Sequence, residues 1–176
     1  MHADVKEILI SEEQIIGRCK ELGEEITKDY EGKTPIVVGL LKGSIPFMAE
    51  LIKYIKLDLE IDFMDVSSYQ GTQSVGDVRI DKDLKNSIQG DDIIIVEDII
   101  DTGKTLKKVI ELMYSKGANS VKVVSLLDKH ECRKVDVEAD YVGFEVPNAF
   151  VIGFGLDFNQ KYRNLPYIGI LKEECY

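Results

Sequence analysis

The sequence predicts an α/β fold, with a largely parallel central sheet flanked by helices and a small hood over it. Three observations carry this. The runs IVVGLL (36–41), IIIV (93–96) and VKVVSLL (121–127) are apolar on both faces, as strands buried inside a parallel sheet are. Helix-period segments lie between them, the alternation expected of βαβ units. A length of 176 residues suits one domain, residues 1–176, at roughly 100–200 residues per domain. Such a chain buries about 70% of its unfolded surface, enough for a core without disulfide or metal staples.

The elements follow in order. Ser11 with Gln14 three residues later is a capping-box signal, and Ile15, Cys19, Leu22 and Ile26 recur at helical spacing after it. The strand 36–41 comes next. Ser44 is a candidate cap for a second helix, whose apolar face reads Ile45, Met48, Leu51, Ile52 and Ile55. In LEIDFMDV, 59–66, Leu59, Ile61 and Phe63 share one side of a half-exposed strand. Residues 67–77, SSYQGTQSVGD, read as a long polar loop, a candidate lid or a plain hairpin tip. IIIV ends in Glu97-Asp98. After a short loop comes a helix with Leu106, Val109, Ile110 and Met113 on one face and Gly117 as its stop. Beyond 121–127, the segments 141–146, 150–154 and 167–171 read as shorter strands. The terminal segments are expected to form the hood.

Composition narrows the function. Hydrophobic residues are 44% and charged residues 31%, the balance of a folded globular chain, with a net charge of −10. That charge argues against sequence-independent nucleic-acid binding and against a polybasic membrane anchor. No apolar run approaches the ~20 residues of a membrane span. The first residues, MHADVKEILIS, do not read as a secretory signal, nor the last, LKEECY, as a prenylation box. Cys19, Cys132 and Cys175 are odd in number and far apart, so free thiols in a cytoplasmic protein are expected. With only His2 and His130, a multi-histidine zinc site is not expected.

The chemistry concentrates in VEDIIDTGKT, residues 96–105. It runs from a strand through a loop into a helix, and ligands of open α/β sheets bind at such carboxyl ends. Asp101, Thr102, Gly103, Lys104 and Thr105 therefore sit where a phosphate is held. Gly103 permits close backbone approach, the threonines offer hydroxyls, and the helix start offers N–H groups and partial positive charge. A P-loop needs glycine where Asp98 stands, and this segment has no G-x-G-x-x-G, so triphosphatase and dehydrogenase readings are disfavoured. Glu97, Asp98 and Asp101 repel phosphate. They suit sugar hydroxyls and Mg²⁺, which favours hard oxygen ligands. Phosphate, diol and metal in one loop describe a ribose-5-phosphate. The plain alternative, an acidic loop capping a helix, leaves Ile99 and Ile100 between the acids unexplained.

The segment resembles the 5-phosphoribosyl-1-diphosphate (PRPP) motif of the type I phosphoribosyltransferases, and within them the hypoxanthine-guanine enzymes. LLKGS (40–44), SSY (67–69), LLDK (126–129), VGFEVP (142–147) and FVIGFGLDFNQKYRNLP (150–166) agree in order and spacing over nearly the whole chain. The resemblance implies the type I phosphoribosyltransferase fold. It implies that Glu97 and Asp98 bind the ribose hydroxyls directly or through Mg²⁺, and that Asp101 is general base or acid at the purine. Residues 102–105 would hold the 5′-phosphate, and Lys42, Gly43 and Arg163 the pyrophosphate, with a Leu41–Lys42 peptide that can be cis. Lys129 would donate to the purine 6-oxo group, Phe150 would stack on the base and the Val151 backbone would meet its edge. Asp157, beside the base, would hold a second Mg²⁺, and Ser68 and Tyr69 would head the lid. Taken singly, Lys129, Phe150, Arg163 and Asp157 read as a solvated lysine, core, a surface charge and a turn residue. Their joint placement reverses that.

The implied reaction moves phosphoribose from PRPP to hypoxanthine or guanine, giving IMP or GMP. A lysine donor suits a 6-oxo group and mismatches the 6-amino donor of adenine. The choice among hypoxanthine, guanine and xanthine stays open, as does a regulator of this fold that binds RNA. Gln70 stands where many relatives have glycine directly after the tyrosine, which concerns only the lid tip. Family likeness suggests a homodimer or homotetramer, and His130 receives no role.

Overall fold

The computed structural model describes residues 1–68 and 78–176. The lid residue Tyr69, with the rest of 69–77, lies outside the described residues.

Among the described residues six strands form the main sheet: β2 (Ile36–Leu40), β3 (Glu60–Ser68), β4 (Val78–Lys82), β5 (Asp92–Ile100), β6 (Ser120–Asp128) and β7 (Tyr141–Glu145). Their order is β4-β3-β2-β5-β6-β7. All neighbours are parallel except β4, which closes one edge antiparallel to β3. The second sheet orders β1 (Val5–Ile10), β9 (Ile168–Leu171) and β8 (Val151–Ile152), all antiparallel. Segments near the two ends of the chain thus build the small sheet. No helix of the described residues is long and apolar enough to cross a membrane.

Helix α1 (Glu12–Asp29) begins with the expected capping box: Gln14 N–H donates to Ser11 Oγ, and Ser11 N–H donates to Gln14 Oε1 at 2.8 Å. Ile15, Cys19, Leu22 and Ile26 are all fully buried. With Phe47, Met48 and Leu51 of α2 (Ser44–Leu51) they cover one face of the main sheet. Leu106, Val109 and Met113 of α3 (Lys104–Ser115) cover the other with Ile93 and Ile95.

Several expectations are corrected. Ser44 does not cap α2. Gly43 holds the cap position, and Ser44 is the first helical residue, buried, its hydroxyl without a partner among the described residues. Phe47 replaces Ile45 on the buried face, since Ile45 is 45% exposed. In β3 the deep residue is Met64, while Ile61 is 52% exposed. Met64 packs with Val38, Leu40 and Leu106 in the core on the α3 side of the sheet. Ser67 and Ser68 belong to β3, opposite Arg79 and Val78, because β4 extends the pairing beyond the apolar run. Strand β5 does not stop at Asp98. Ile99 and Ile100 stay in register opposite Leu127 and Asp128.

Candidate functional site

The carboxyl ends of β2, β5 and β6 meet at one edge of the main sheet, and the site is built there. Glu97 and Asp98 are still in strand β5, so the ladder fixes their backbone. Burial first, and then the neighbouring Asp98 charge, hold the Glu97 carboxyl well above the usual carboxylate range. Burial also raises Asp98, restrained by the Ile99 N–H, which donates to Oδ1 at 2.8 Å, and by the positive charge of Arg163.

Asp98 lies against the β2–α2 turn. A Cβ on Gly43 would fall 1.6 Å from Asp98 Oδ2, so only glycine admits this approach. The Leu41–Lys42 peptide just before it is cis, and Lys42 is exposed.

Three residues separate β5 from α3. Asp101 is exposed, Thr102 half-buried, and Gly103 adopts φ +78° at the helix cap. Gly103 is required twice over, by that left-handed φ and because a Cβ would meet Val137 at 2.5 Å and Arg133 Cδ at 2.9 Å. Lys104 N–H faces the Thr102 hydroxyl at 3.4 Å, and the Lys104 side chain is exposed. Glu97, Ile99–Gly103, Thr105 and Leu106 line a cavity of about 210 Å³. The N-terminus of α3 aims its partial positive charge into it. The arrangement can hold a phosphate at the helix start and hard oxygen ligands or a cation at the paired carboxylates.

Lys129 follows β6, and its N–H donates to the Ile100 carbonyl at 2.9 Å, which ties it to the same edge. Asp157 and Arg163 come from the segment joining the two strands β8 and β9. They pair with each other: Arg163 Nη2 lies 2.9 Å from Asp157 Oδ1, while Asp157 Oδ2 accepts the Gln160 N–H at 2.8 Å. Arg163 also donates to the Gly155 carbonyl at 2.6 Å. Phe150 and Val151 lie at the small sheet, where Leu171 N–H donates to the Phe150 carbonyl at 2.9 Å. The structure therefore gathers Gly43, Glu97–Thr105 and Lys129, and brings the Arg163 charge to Asp98. Phe150 instead finds its ring partners in Phe158 and Tyr176.

The family model described as phosphoribosyl transferase domain matches residues 5–159. The chain belongs to this family. Among phosphoribosyltransferases, it is 58% identical over 174 residues to the hypoxanthine-guanine phosphoribosyltransferase of Streptococcus agalactiae, covering 98% of this chain and 97% of the relative. That of Lactococcus lactis is likewise 58% identical over 173 residues, 98% and 94% of the two chains. The crystal structure of a hypoxanthine phosphoribosyltransferase from Staphylococcus aureus superposes with a TM-score of 0.96 at 56% identity, covering 100% of this chain and 96% of that one. The type I phosphoribosyltransferase fold expected from the motifs is the fold observed.

Sequence reasoning missed Arg133. Its side chain is 9% exposed and uses three nitrogens on three elements. Nη1 donates to the Asp101 carbonyl at 2.7 Å, Nε to the Val137 carbonyl at 2.9 Å, and Nη2 to Asp128, itself 5% exposed. Arg133 thus clamps the phosphoribosyltransferase motif to the end of β6 beside Lys129. Asp101 lies 32 residues before it in sequence, so no local pattern could have flagged the clamp. Cys132, next to it, has its thiol raised by burial first and by the Asp101 carboxylate second. His130 Nδ1 lies 3.7 Å from Glu138 and near Asp128. With Asp128 held by Arg133, that group gains no metal reading.

Proposed function

We propose that this phosphoribosyltransferase transfers the 5-phosphoribosyl group of PRPP to hypoxanthine or guanine, releasing pyrophosphate and forming IMP or GMP in purine salvage. The observation that carries this is the β5 edge. Two half-buried carboxylates, an exposed Asp101 and a helix-start phosphate hollow follow one another within nine residues, with Lys129 hydrogen-bonded to the same strand end. The names of the relatives support the choice of base.

Each residue has a task. Thr102–Thr105 hold the 5′-phosphate through the helix start. Glu97 and Asp98 orient the ribose hydroxyls. The bond from the anomeric carbon to pyrophosphate breaks as the bond to the purine nitrogen forms. The proton leaves that nitrogen for Asp101, general-base work typically worth ~10²–10⁴-fold. Lys42, Gly43 and Arg163 receive the pyrophosphate. Arg163 Nε is buried without a partner among the described residues, a donor left for an anion. Lys129 donates to the 6-oxo group, Phe150 stacks on the base and the Val151 backbone meets its edge. Ser68 and Tyr69 head the lid that excludes water, so that PRPP is not hydrolysed.

Mg²⁺ fits Glu97 and Asp98. Burial disfavours the charged form of both, and the Asp98 charge adds to this at Glu97, so a hard cation held there would relieve the cost. Held by these two residues, it would supply positive charge against the departing pyrophosphate. Asp157 offers a second site once Arg163 leaves it for pyrophosphate. A homodimer or homotetramer is the assembly we expect in the cytoplasm, and sedimentation equilibrium reads the assembly.

The test offers PRPP and Mg²⁺ with hypoxanthine, guanine, xanthine and adenine in turn. Rapid IMP and GMP formation with adenine inert supports the reading. PRPP binding without turnover on any base points instead to a regulator. Lys129→Ala is expected to weaken discrimination against adenine or abolish purine use. Unchanged hypoxanthine kinetics would remove that contact.

A further inference from the structure

Tyr176 has no place in the family motif, yet its ring lies on Phe150. The two centroids are 4.9 Å apart with an interplanar angle of 26°, a stacked pair. Phe158 meets the edge of Phe150 at 5.4 Å and 89°, and meets Tyr176 at 6.4 Å and 66°. The backbone sets this up. Leu171 N–H donates to the Phe150 carbonyl, Lys172 N–H donates to the Asp4 carbonyl at 3.0 Å, and the 3-10 turn Glu173–Cys175 folds back over the small sheet.

We propose that Tyr176 is a positioning residue for the purine: it braces Phe150 from the small-sheet side and leaves the opposite face of that ring for the base. The inference rests on the reading of Phe150 as the stacking wall. Phe150, Phe158 and Cys175 pack with Val5, Ile152 and Leu171 in the core of the small sheet, whereas Ile99 packs in the core under the main sheet. On this reading Tyr176, next to Cys175 of that small-sheet core, stands on one side of Phe150, and the base enters from the other, where Lys129 is to meet it. A half-buried phenylalanine that is free to turn must be ordered each time a base binds, which weakens binding. A ring fixed by one stacked and one edge contact is ordered in advance.

Because Tyr176 is 55% exposed, its replacement is expected to leave the fold intact, which circular dichroism of the variants checks. Steady-state kinetics on Tyr176→Ala, Tyr176→Phe and Phe150→Leu in the full chain test the brace. Tyr176→Ala is expected to raise the KM for hypoxanthine about three- to ten-fold, the range of one aromatic pair. The KM for PRPP and kcat are expected to stay near wild type, and Tyr176→Phe to restore the purine KM because it keeps the stack. An unchanged purine KM in Tyr176→Ala, with a raised one in Phe150→Leu, overturns the brace alone. A lowered purine KM in Tyr176→Ala also overturns it, since Tyr176 would then cover the face the base needs. An unchanged purine KM in both variants overturns the stacking role of Phe150 itself.

Discussion

The β5–α3 loop and the β8–β9 segment both supply the site, and they are built in opposite ways. The first is contiguous. Its residues continue a central strand, its one left-handed residue is Gly103, and Arg133 locks its backbone. The second reaches Asp157 and Arg163 through a chain that holds Phe154, Asn159, Gln160 and Tyr162 at φ between +47° and +76°. There non-glycine residues carry the strain that glycine carries in the loop. The comparison teaches where each region places its cost. The loop sets two like charges side by side on a relaxed backbone, and the segment stores backbone strain around an opposite-charge pair.

The largest effect should come from the chemistry that only the loop provides. Asp101→Asn keeps shape and hydrogen-bonding size but removes the proton acceptor. Turnover is expected to fall ~10²–10⁴-fold while PRPP affinity holds. Single-turnover rates with hypoxanthine and PRPP titrations read the two separately. If turnover survived, the catalytic contrast between the regions would collapse.

Arg133 tests whether the loop is rigid because it is clamped. Arg133→Met leaves Asp128 buried and unpaired, a loss expected at ~3–5 kcal/mol. Adding Asp128→Leu removes the stranded charge and should recover much of it. Urea unfolding of the two single variants and the double variant measures the coupling. Additive losses would show that the pair acts as two separate contacts.

The raised Glu97 carboxyl in the loop predicts a pH dependence of stability. Glu97 titrates above its ordinary value of 4.5 in the folded protein. The folded state therefore binds more protons, and this contribution is complete below the unfolded pKa and lost as pH rises through the folded one. Glu97→Gln stays neutral and escapes the loss. In magnesium-free buffer at pH 7–8 its Tm is expected to exceed wild type by roughly 2–4 °C, about 1 kcal/mol in a chain of this size. The gap should narrow towards pH 4.5, and turnover should fall in the same variant. A lower Tm at neutral pH would mean that the carboxylate is stabilising as it stands.

These two regions also differ in how far sequence revealed them. Glu97–Thr105 could be read because neighbours in sequence remain neighbours in the site, and the strand–loop–helix change marks their position. The capping box of α1 and the apolar period of α3 were legible for the same local reason. Arg133 was not, since Asp101, the partner that ties it to the motif, is 32 residues away and is brought to it by tertiary folding. Strand β1, half of whose residues are exposed, and edge strand β4, nearly all exposed, escaped because pairing rather than hydrophobic pattern defines them. Met64 was hidden because β3 packs on both faces, Phe63 in the core on the α1–α2 side and Met64 in the core on the α3 side, so a one-sided alternation does not describe it.

The smallest effect probes the strain in the β8–β9 segment. Asn159 is exposed and sits at φ +51°, a conformation that asparagine tolerates better than most residues and glycine adopts freely. Asn159→Gly is therefore expected to change stability by only a few tenths of a kcal/mol, relief of strain being offset by the freer unfolded chain. Asn159→Ala keeps a Cβ and loses the tolerance, at a cost of about 1 kcal/mol. Gln160 follows immediately, its N–H bound to Asp157 and its side chain to Arg163 at 3.2 Å. Strain released at 159 should therefore reach the ion pair before it reaches the base. The alanine variant is expected to raise the KM for PRPP modestly and leave the KM for hypoxanthine alone. A shift in the hypoxanthine KM instead would mean that the strained turn positions the purine side, and that the two regions divide the substrate differently.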